Sequence, residues 1–404
     1  AEDEQKFEEL WRHLGLSVDW SMTYTTIGKQ AQRISQRAFL HMLERGEAYQ
    51  AEAPTLWDVD FRTAVAQAEL EDRETPGAYH KLRFTRADGQ PIEIDTTRPE
   101  LLPACVALVA HPDDPRYQAL FGTEIVTPLF KARVPFKAHP LANPEKGTGV
   151  AMICTFGDVT DVVWWRELQL PARAIILPNG TFRALTWGAD GWDSADVARA
   201  QTAYDQLAGL SSEKARARIV DLLRESGDLI GEPRAVMHAV KFFEKGDRPL
   251  EILTSRQWFV RTIDKRDALI ARGHALQWHP PYMRARYENW VNGLNGDWCI
   301  SRQRFFGVAF PVWYPVRADG SIDHASPILP DESRLPLDPS TDVPEGYTAE
   351  QRGEPGGFVG DPDVMDTWAT SSLTPQIAGG WLEDPDLFAR VFPMDLRPQA
   401  HDII

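Results

Sequence analysis

Apolar residues recur at spacings of three and four at Ile27, Ala31, Ile34, Ala38 and Met42. That spacing is the period of one helix face, so it predicts an amphipathic helix, which Gly46 is placed to end in a left-handed cap. The helical texture holds from residue 2 to about residue 50. From Tyr79 the period shortens to two: Leu82 and Phe84 alternate with polar neighbours, Ala87-Asp88-Gly89 supplies a turn, and Ile92 and Ile94 resume the alternation. Period two sends successive side chains to opposite faces of a strand, so a β-hairpin is predicted. Short β-like runs follow at 106–110, 124–126, 150–154 and 174–177, the last closed by Asn179-Gly180. Many short strands with few helices among them predict a barrel. Two helical segments, about 194–207 and 211–225, close the block, the second between the N-cap Ser211 and the terminator Gly227.

After about residue 250 the texture shifts again, to a stretch with Trp258, Trp278, Trp290, Trp298, Trp313 and Trp368 and with Pro- and Gly-rich loops over 318–361. The predicted domains are therefore 1–52, 53–248 and 249–404, in line with a chain of 404 residues. At 43% hydrophobic and 25% charged residues the composition is that of a globular protein. The longest nearly unbroken apolar stretch, 101–110, is half of the roughly 20 residues that a membrane helix needs, so no span is expected. Cys105, Cys154 and Cys299 are odd in number and far apart, which predicts a reducing cytoplasm rather than a disulfide framework. A net charge of −16 repels nucleic acid, so any such contact must be local. The best local patch is Lys241, Lys245, Arg248, Arg256, Arg261, Lys265 and Arg266. The chain opens at Ala1 without Met and stops at Ile404 without a cap or tail, as a piece cut from a longer protein would.

No G-x-x-x-x-G-K-[ST], H-E-x-x-H, G-x-S-x-G or C-x-x-C motif occurs. Gly147-Thr148-Gly149 begins like a dinucleotide fingerprint, but Met152 stands where its third Gly belongs. Two polar clusters remain. Asp95-Thr96-Thr97-Arg98-Pro99-Glu100 ends the hairpin, as a turn that satisfies local backbone donors or as a site. Thr155 through Asp161 links a strand to a predicted helix over 162–168. Asp158 and Asp161 have the spacing of a helix-capping pair, and two carboxylates three apart on a first turn also suit an ammonium group.

The run from Trp290 to Gly307, which includes Asp297-Trp298-Cys299-Ile300-Ser301-Arg302-Gln303, resembles the class I aminoacyl-tRNA synthetases of the valine, isoleucine and leucine subgroup, as do Asp363-Val364-Met365-Asp366-Thr367-Trp368 and Asp19-Trp20. Thr96 through Glu100 and Gly147 through Asp161 are similar to the two signature regions of that subgroup's editing domain. The Asp-Thr-Trp step and the Arg397-Pro398-Gln399-Ala400-His401-Asp402 ending resemble its valine-specific members most.

The resemblance implies an α/β fold: a Rossmann-type catalytic domain, incomplete here, in 1–52 and 249–404, interrupted by an inserted β-barrel editing domain in 53–248. It implies ATP- and Mg-dependent attachment of valine to tRNA(Val), with hydrolysis of mischarged Thr-tRNA(Val) in the barrel. Threonine and valine are then the amino acids handled, and no membrane or protein partner is implied. By resemblance Thr97 and Arg98 position the terminal nucleotide and ester, Asp158 holds the α-ammonium, and Asp161 bonds a hydroxyl. Thr96, Trp298, Asp366 and Trp368 are carried over as substrate-binding, and Lys241, Lys245, Arg256 and Arg302 are the candidate nucleic-acid contacts. The family's His-x-Gly-His and Lys-Met-Ser-Lys-Ser signatures do not occur, so this chain is expected not to form an adenylate. Leu101, Met152 and Cys154 stand where the pattern commonly has Thr, Lys and Thr. The run 238–249, where the family often has a zinc knuckle, holds no Cys, so no zinc is expected. An isoleucine-specific enzyme that clears Val-tRNA and a non-catalytic tRNA-binding fragment are the alternatives.

Overall fold

The computed structural model describes residues 2–400 and Ile403; His401 and Asp402 of the ending lie outside the described residues. The chain forms two compact units, residues 1–49 with 260–404, and residues 50–259.

The first unit opens with α1 (Glu2–His13) and α2 (Lys29–Glu44). Ala31, Ile34, Phe39 and Leu40 of α2 are buried, whereas Ile27 precedes the helix and is exposed. Gly46 sits at φ +69°, and the amides of Gly46 and Glu47 donate to Leu43 O and Met42 O, which satisfies carbonyls that the helix end leaves open.

The inner unit contains all of β1 (Ala48–Asp58) but its first two residues, then β2 (Thr63–Ala64), β3 (Leu70–Arg86), β4 (Pro91–Thr96), β5 (Cys105–Ala110), β6 (Glu124–Val126), β7 (Arg133–Ala138) and β8 (Val150–Cys154). They are followed by α3 (Val159–Glu167), α4 (Val197–Tyr204), α5 (Ser212–Glu225), β9 (Arg234–Phe243) and β10 (Glu251–Val260). The main sheet has the order β4-β3-β6-β7-β5-β8, and β4 at one end of that path lies against β8 at the other, so the sheet is nearly a closed barrel. In the hairpin, Leu82 faces Ile94 and Phe84 faces Ile92, and these four are buried. That is the cross-strand pairing the alternation requires. Ala215, Ile219 and Leu223 of α5 join the same core.

Two strands differ from the sequence reading. β9 pairs with the first half of β3, from Leu70↔Phe243 to Tyr79↔Arg234, in a ribbon with much of both faces open; the sequence reading assigned no strand here. The run 174–177 makes only an isolated bridge, Ile176↔Phe182. The inner unit runs through Phe259, so β10 lies in it up to its last residue but one.

The rest of the first unit holds α6 (Arg266–His274) and α7 (Met283–Asn292), then short strands that pair antiparallel. Ser301 faces Met365, and Trp313 faces Gly360. No helix among the described residues is long and apolar enough to cross a membrane.

Candidate functional site

Both polar clusters are exits from barrel strands. β4 ends at Thr96, whose Oγ1 accepts from Arg98 N at 3.1 Å, and Pro99 then starts a short 3-10 turn through Ala104. Proline at the first position fixes φ and lacks the amide that would go unpaired there. β8 ends at Cys154, and the chain turns through Thr155–Gly157 into α3. Asp158 caps that helix: one oxygen accepts from Thr160 N at 2.7 Å and from Asp161 N at 3.0 Å. The first turn of α3 therefore begins three residues before the predicted Val162, at Val159.

The two exits meet at Gly157, whose carbonyl accepts from Arg98 Nη1 at 3.3 Å and whose amide donates to Asp161 Oδ2 at 2.8 Å. A Cβ on Gly157 would lie 2.7 Å from that oxygen and 3.3 Å from Leu101 Cδ1, so the crossing admits no side chain without a shift. Asp161 is buried at 6% exposure. Burial first, and the Asp158 charge second, hold its carboxyl well above the usual carboxylate range, against the opposing amide of Gly157. A carboxyl raised in the folded state stabilises the fold most below its ordinary value near 3.9, and that contribution is lost as pH rises through the folded value. Asp161→Asn, which keeps an acceptor and never ionises, is expected to melt above the parent chain at pH 8 and to converge with it near pH 4. Melting curves at the two pH values check this, and a lower melting temperature at pH 8 would contradict it.

Arg98 is committed to a charge network that local sequence does not reveal. Its Nε donates to Glu100 Oε1 at 2.9 Å and its Nη2 to Glu251 Oε2 at 2.8 Å. Glu100, fully buried, also accepts from Arg216 Nε at 2.9 Å and Nη2 at 2.7 Å, and Ser212 Oγ donates to Glu251 Oε1 at 2.6 Å. Burial alone would raise the Glu100 carboxyl, but Arg98 and Arg216 outweigh it and hold it below the usual range. His80, opposite Thr96 across the hairpin, is also buried, and burial lowers its pKa, so the imidazole is neutral at pH 7. Of these residues only Arg98 stood out in the sequence. Glu100 carried a signal as its near neighbour; Arg216 and Glu251, far along the chain, carried none. Leu101 and Cys154 belong to the barrel core, and Met152 packs on it, so these departures from the family pattern alter packing.

In the first unit one carboxylate gathers the other predicted residues. Asp366 caps a short helix by accepting from Trp368 N at 3.0 Å, and its second oxygen accepts from Trp298 Nε1 at 3.2 Å and from Arg302 Nη2 at 2.8 Å. Asp366 and Arg302 are each 1% exposed. Arg302, expected at a nucleic-acid surface, is therefore an interior cation, because its guanidinium is held by Asp366 and by the carbonyls of Cys299 and Ser301. The predicted basic patch falls in both units, and its inner-unit cations face acids: Lys241 with Asp72, Lys245 with Glu244, Arg248 with Asp60 and Arg256 with Glu52. Among the described residues no group of three or more His, Cys, Asp or Glu side chains is placed to hold a metal ion.

The family model described as tRNA synthetases class I (I, L, M and V) matches residues 1–404. A valine--tRNA ligase of Thermobifida fusca (strain YX) is 67% identical over 408 residues, which cover 100% of this chain and 46% of that protein. A valine--tRNA ligase of Salinispora arenicola (strain CNS-205) is 64% identical over 100% of this chain and 46% of that protein. One from Leifsonia xyli subsp. xyli (strain CTCB07) is 61% identical over 100% and 47%. The chain thus spans about half the length of the curated relatives it matches. A solved ternary complex of LeuRS, tRNA and LeuAMS from Agrobacterium radiobacter K84 aligns with 92% of this chain and 46% of its own at 17% identity, with a TM-score of 0.32.

Proposed function

Because this chain belongs to the class I tRNA synthetases of the I, L, M and V group, we propose that the complete protein joins valine to tRNA(Val) and that residues 50–259 hydrolyse Thr-tRNA(Val) made in error. The need is steric: threonine replaces a methyl of valine by a hydroxyl, and an apolar pocket rejects it only about 10²-fold, a limit for which the valine enzyme is itself the standing example. A second, hydrolytic site must supply the rest. The observation that supports the reading is the crossing at Gly157, where Arg98 donates to the residue before Asp158 and the same residue's amide bonds Asp161.

In this reading the single-stranded 3′ end of the tRNA lies between the two strand exits. Asp158 spends one oxygen on the helix cap; its other oxygen takes the α-ammonium of the amino acid. Asp161 bonds a hydroxyl of threonine or ribose, and Thr96 and Thr97 hold the terminal nucleotide and the ester. Arg98, tied to Glu100 and Glu251, fixes the turn that presents them. Water adds to the ester carbonyl, the bond to the ribose oxygen breaks, and threonine and intact tRNA leave. Placement of water against the ester, assisted by the neighbouring ribose hydroxyl, supplies the acceleration. Aminoacylation by the complete protein would use ATP and Mg.

The test is release of amino acid from Thr-tRNA(Val) and Val-tRNA(Val) by the 404-residue chain. Threonine is expected to be released and valine spared. Faster release of valine would favour the isoleucine-specific reading, and release of neither would reduce the barrel to a binding module.

A further inference from the structure

Helices α6 and α7 form a tight pair in the first unit. Tyr287 Oη donates to Leu269 O at 2.8 Å, Trp278 Nε1 donates to Gly273 O at 2.8 Å, and the Trp278 and Tyr287 rings lie 5.5 Å apart. A Cβ on Gly273 would come within 2.3 Å of the Tyr287 ring, so the helices approach where only glycine fits. With its inner face so fixed, α7 turns a second stripe outward. Tyr282, Arg286 and Trp290 follow one another at intervals of four, which places them on one side of the helix. Tyr282 is 71% exposed and Trp290 41%, and Arg286 between them is exposed and has no acidic partner among the described residues. The surrounding segment, 261–292, carries six cations (Arg261, Lys265, Arg266, Arg272, Arg284, Arg286) against Asp264, Asp267 and Glu288, in a chain whose net charge is −16.

From these observations we infer that the Tyr282–Arg286–Trp290 stripe is a stacking platform for a single-stranded stretch of RNA. Two exposed rings one helical turn to either side of a guanidinium offer faces to successive bases and a cation to the phosphate between them. A second copy of this chain would bring −16 against −16 and is repelled. An apolar partner would leave Arg286 without a counter-charge. The inference rests on the reading of an RNA substrate and adds a contact surface outside the residues proposed to hydrolyse the ester.

The test is fluorescence anisotropy of the 404-residue chain with a labelled single-stranded RNA ending in CCA, run alongside release of threonine from Thr-tRNA(Val). Tyr282→Ala and Trp290→Ala are each expected to weaken binding roughly tenfold. Arg286→Ala should weaken binding and lower the salt dependence by about one phosphate contact. Arg317→Ala, which removes the same charge from an exposed pair with Asp323, should leave affinity unchanged. Near-ultraviolet circular dichroism of each variant separates lost packing from lost contact, since α7 is held from its other face. Parent-level RNA binding by correctly folded Tyr282→Ala and Trp290→Ala chains would overturn the inference, as would failure of the parent chain to bind. Neither result bears on the hydrolytic reading, which fails on its own if the parent chain releases no threonine.

Discussion

Glu100→Gln is expected to lower the melting temperature of the inner unit by roughly 6–12 °C, which corresponds to about 3 kcal/mol for a body of this size. The carboxylate is fully buried and is shared by two guanidiniums, Arg98 and Arg216. Gln keeps the shape but removes the negative charge, so Arg216 loses its carboxylate partner and Arg98 keeps only Glu251. Removing one member of a buried ion pair costs about 3–5 kcal/mol when the remaining charge is sealed from water. Arg98 and Arg216 keep 23% and 40% of their side-chain exposure, which puts this case at the lower end. The pH dependence has a definite sign. A carboxyl depressed in the folded state stabilises the fold fully above its ordinary value near 4.3, and that contribution is lost as pH falls through the folded value. The gap between parent and variant should therefore be widest at neutral pH and close in acid. A variant within 2 °C of the parent at pH 7 would mean that the turn carrying Thr96 and Thr97 is held by other contacts.

Asp158→Asn separates the two duties assigned to one side chain. As an N-cap, Asn serves as well as Asp, and its oxygen can still accept from Thr160 N and Asp161 N, so the melting temperature should not fall. As the holder of an α-ammonium, it loses a charge-assisted bond of about 1.5–3 kcal/mol, which is roughly a 10- to 150-fold slower release of threonine from Thr-tRNA(Val). The same change removes the second-largest influence that raises Asp161, so the titration of Asp161 should move down toward ordinary carboxylate values. Unchanged release without a fall in melting temperature would leave Asp158 as a cap alone.

The strands of the barrel were legible where burial is one-sided. β6 and β8 fall at the residues where the alternating and apolar runs place them, because each sends part of its side chains into the core. β9 was not legible, since much of both faces of the ribbon is open to solvent and alternation loses its meaning there. Its partner segment contains Pro76 and Gly77, which read as turn residues yet sit opposite Met237 and Val236. The α2 termination was legible in full through Gly46, because a positive φ is a local demand. The site was half legible. Its two strand exits are local and announced themselves as polar clusters, but the buried charges that brace them come from α5 and β10, and such long-range pairing leaves no mark on local periodicity. Arg302 shows the converse: an arginine in a polar run reads as a surface cation until its buried carboxylate is seen.

The strand order ends at β4 on one side and β8 on the other, and these two lie together without forming a paired ladder among the described residues. Elsewhere in the sheet, separating two neighbours would break a row of backbone hydrogen bonds at once. Along this line no such row of bonds joins the two strands among the described residues. Thr96–Arg98 continue one lip of this seam and Gly157–Asp161 continue the other, with the Arg98–Gly157 hydrogen bond as a clasp between them. Any group held between the lips would press on the one line of the sheet that no backbone ladder closes, with the hydrogen-bonded wall behind it, in the way a split ring takes a key.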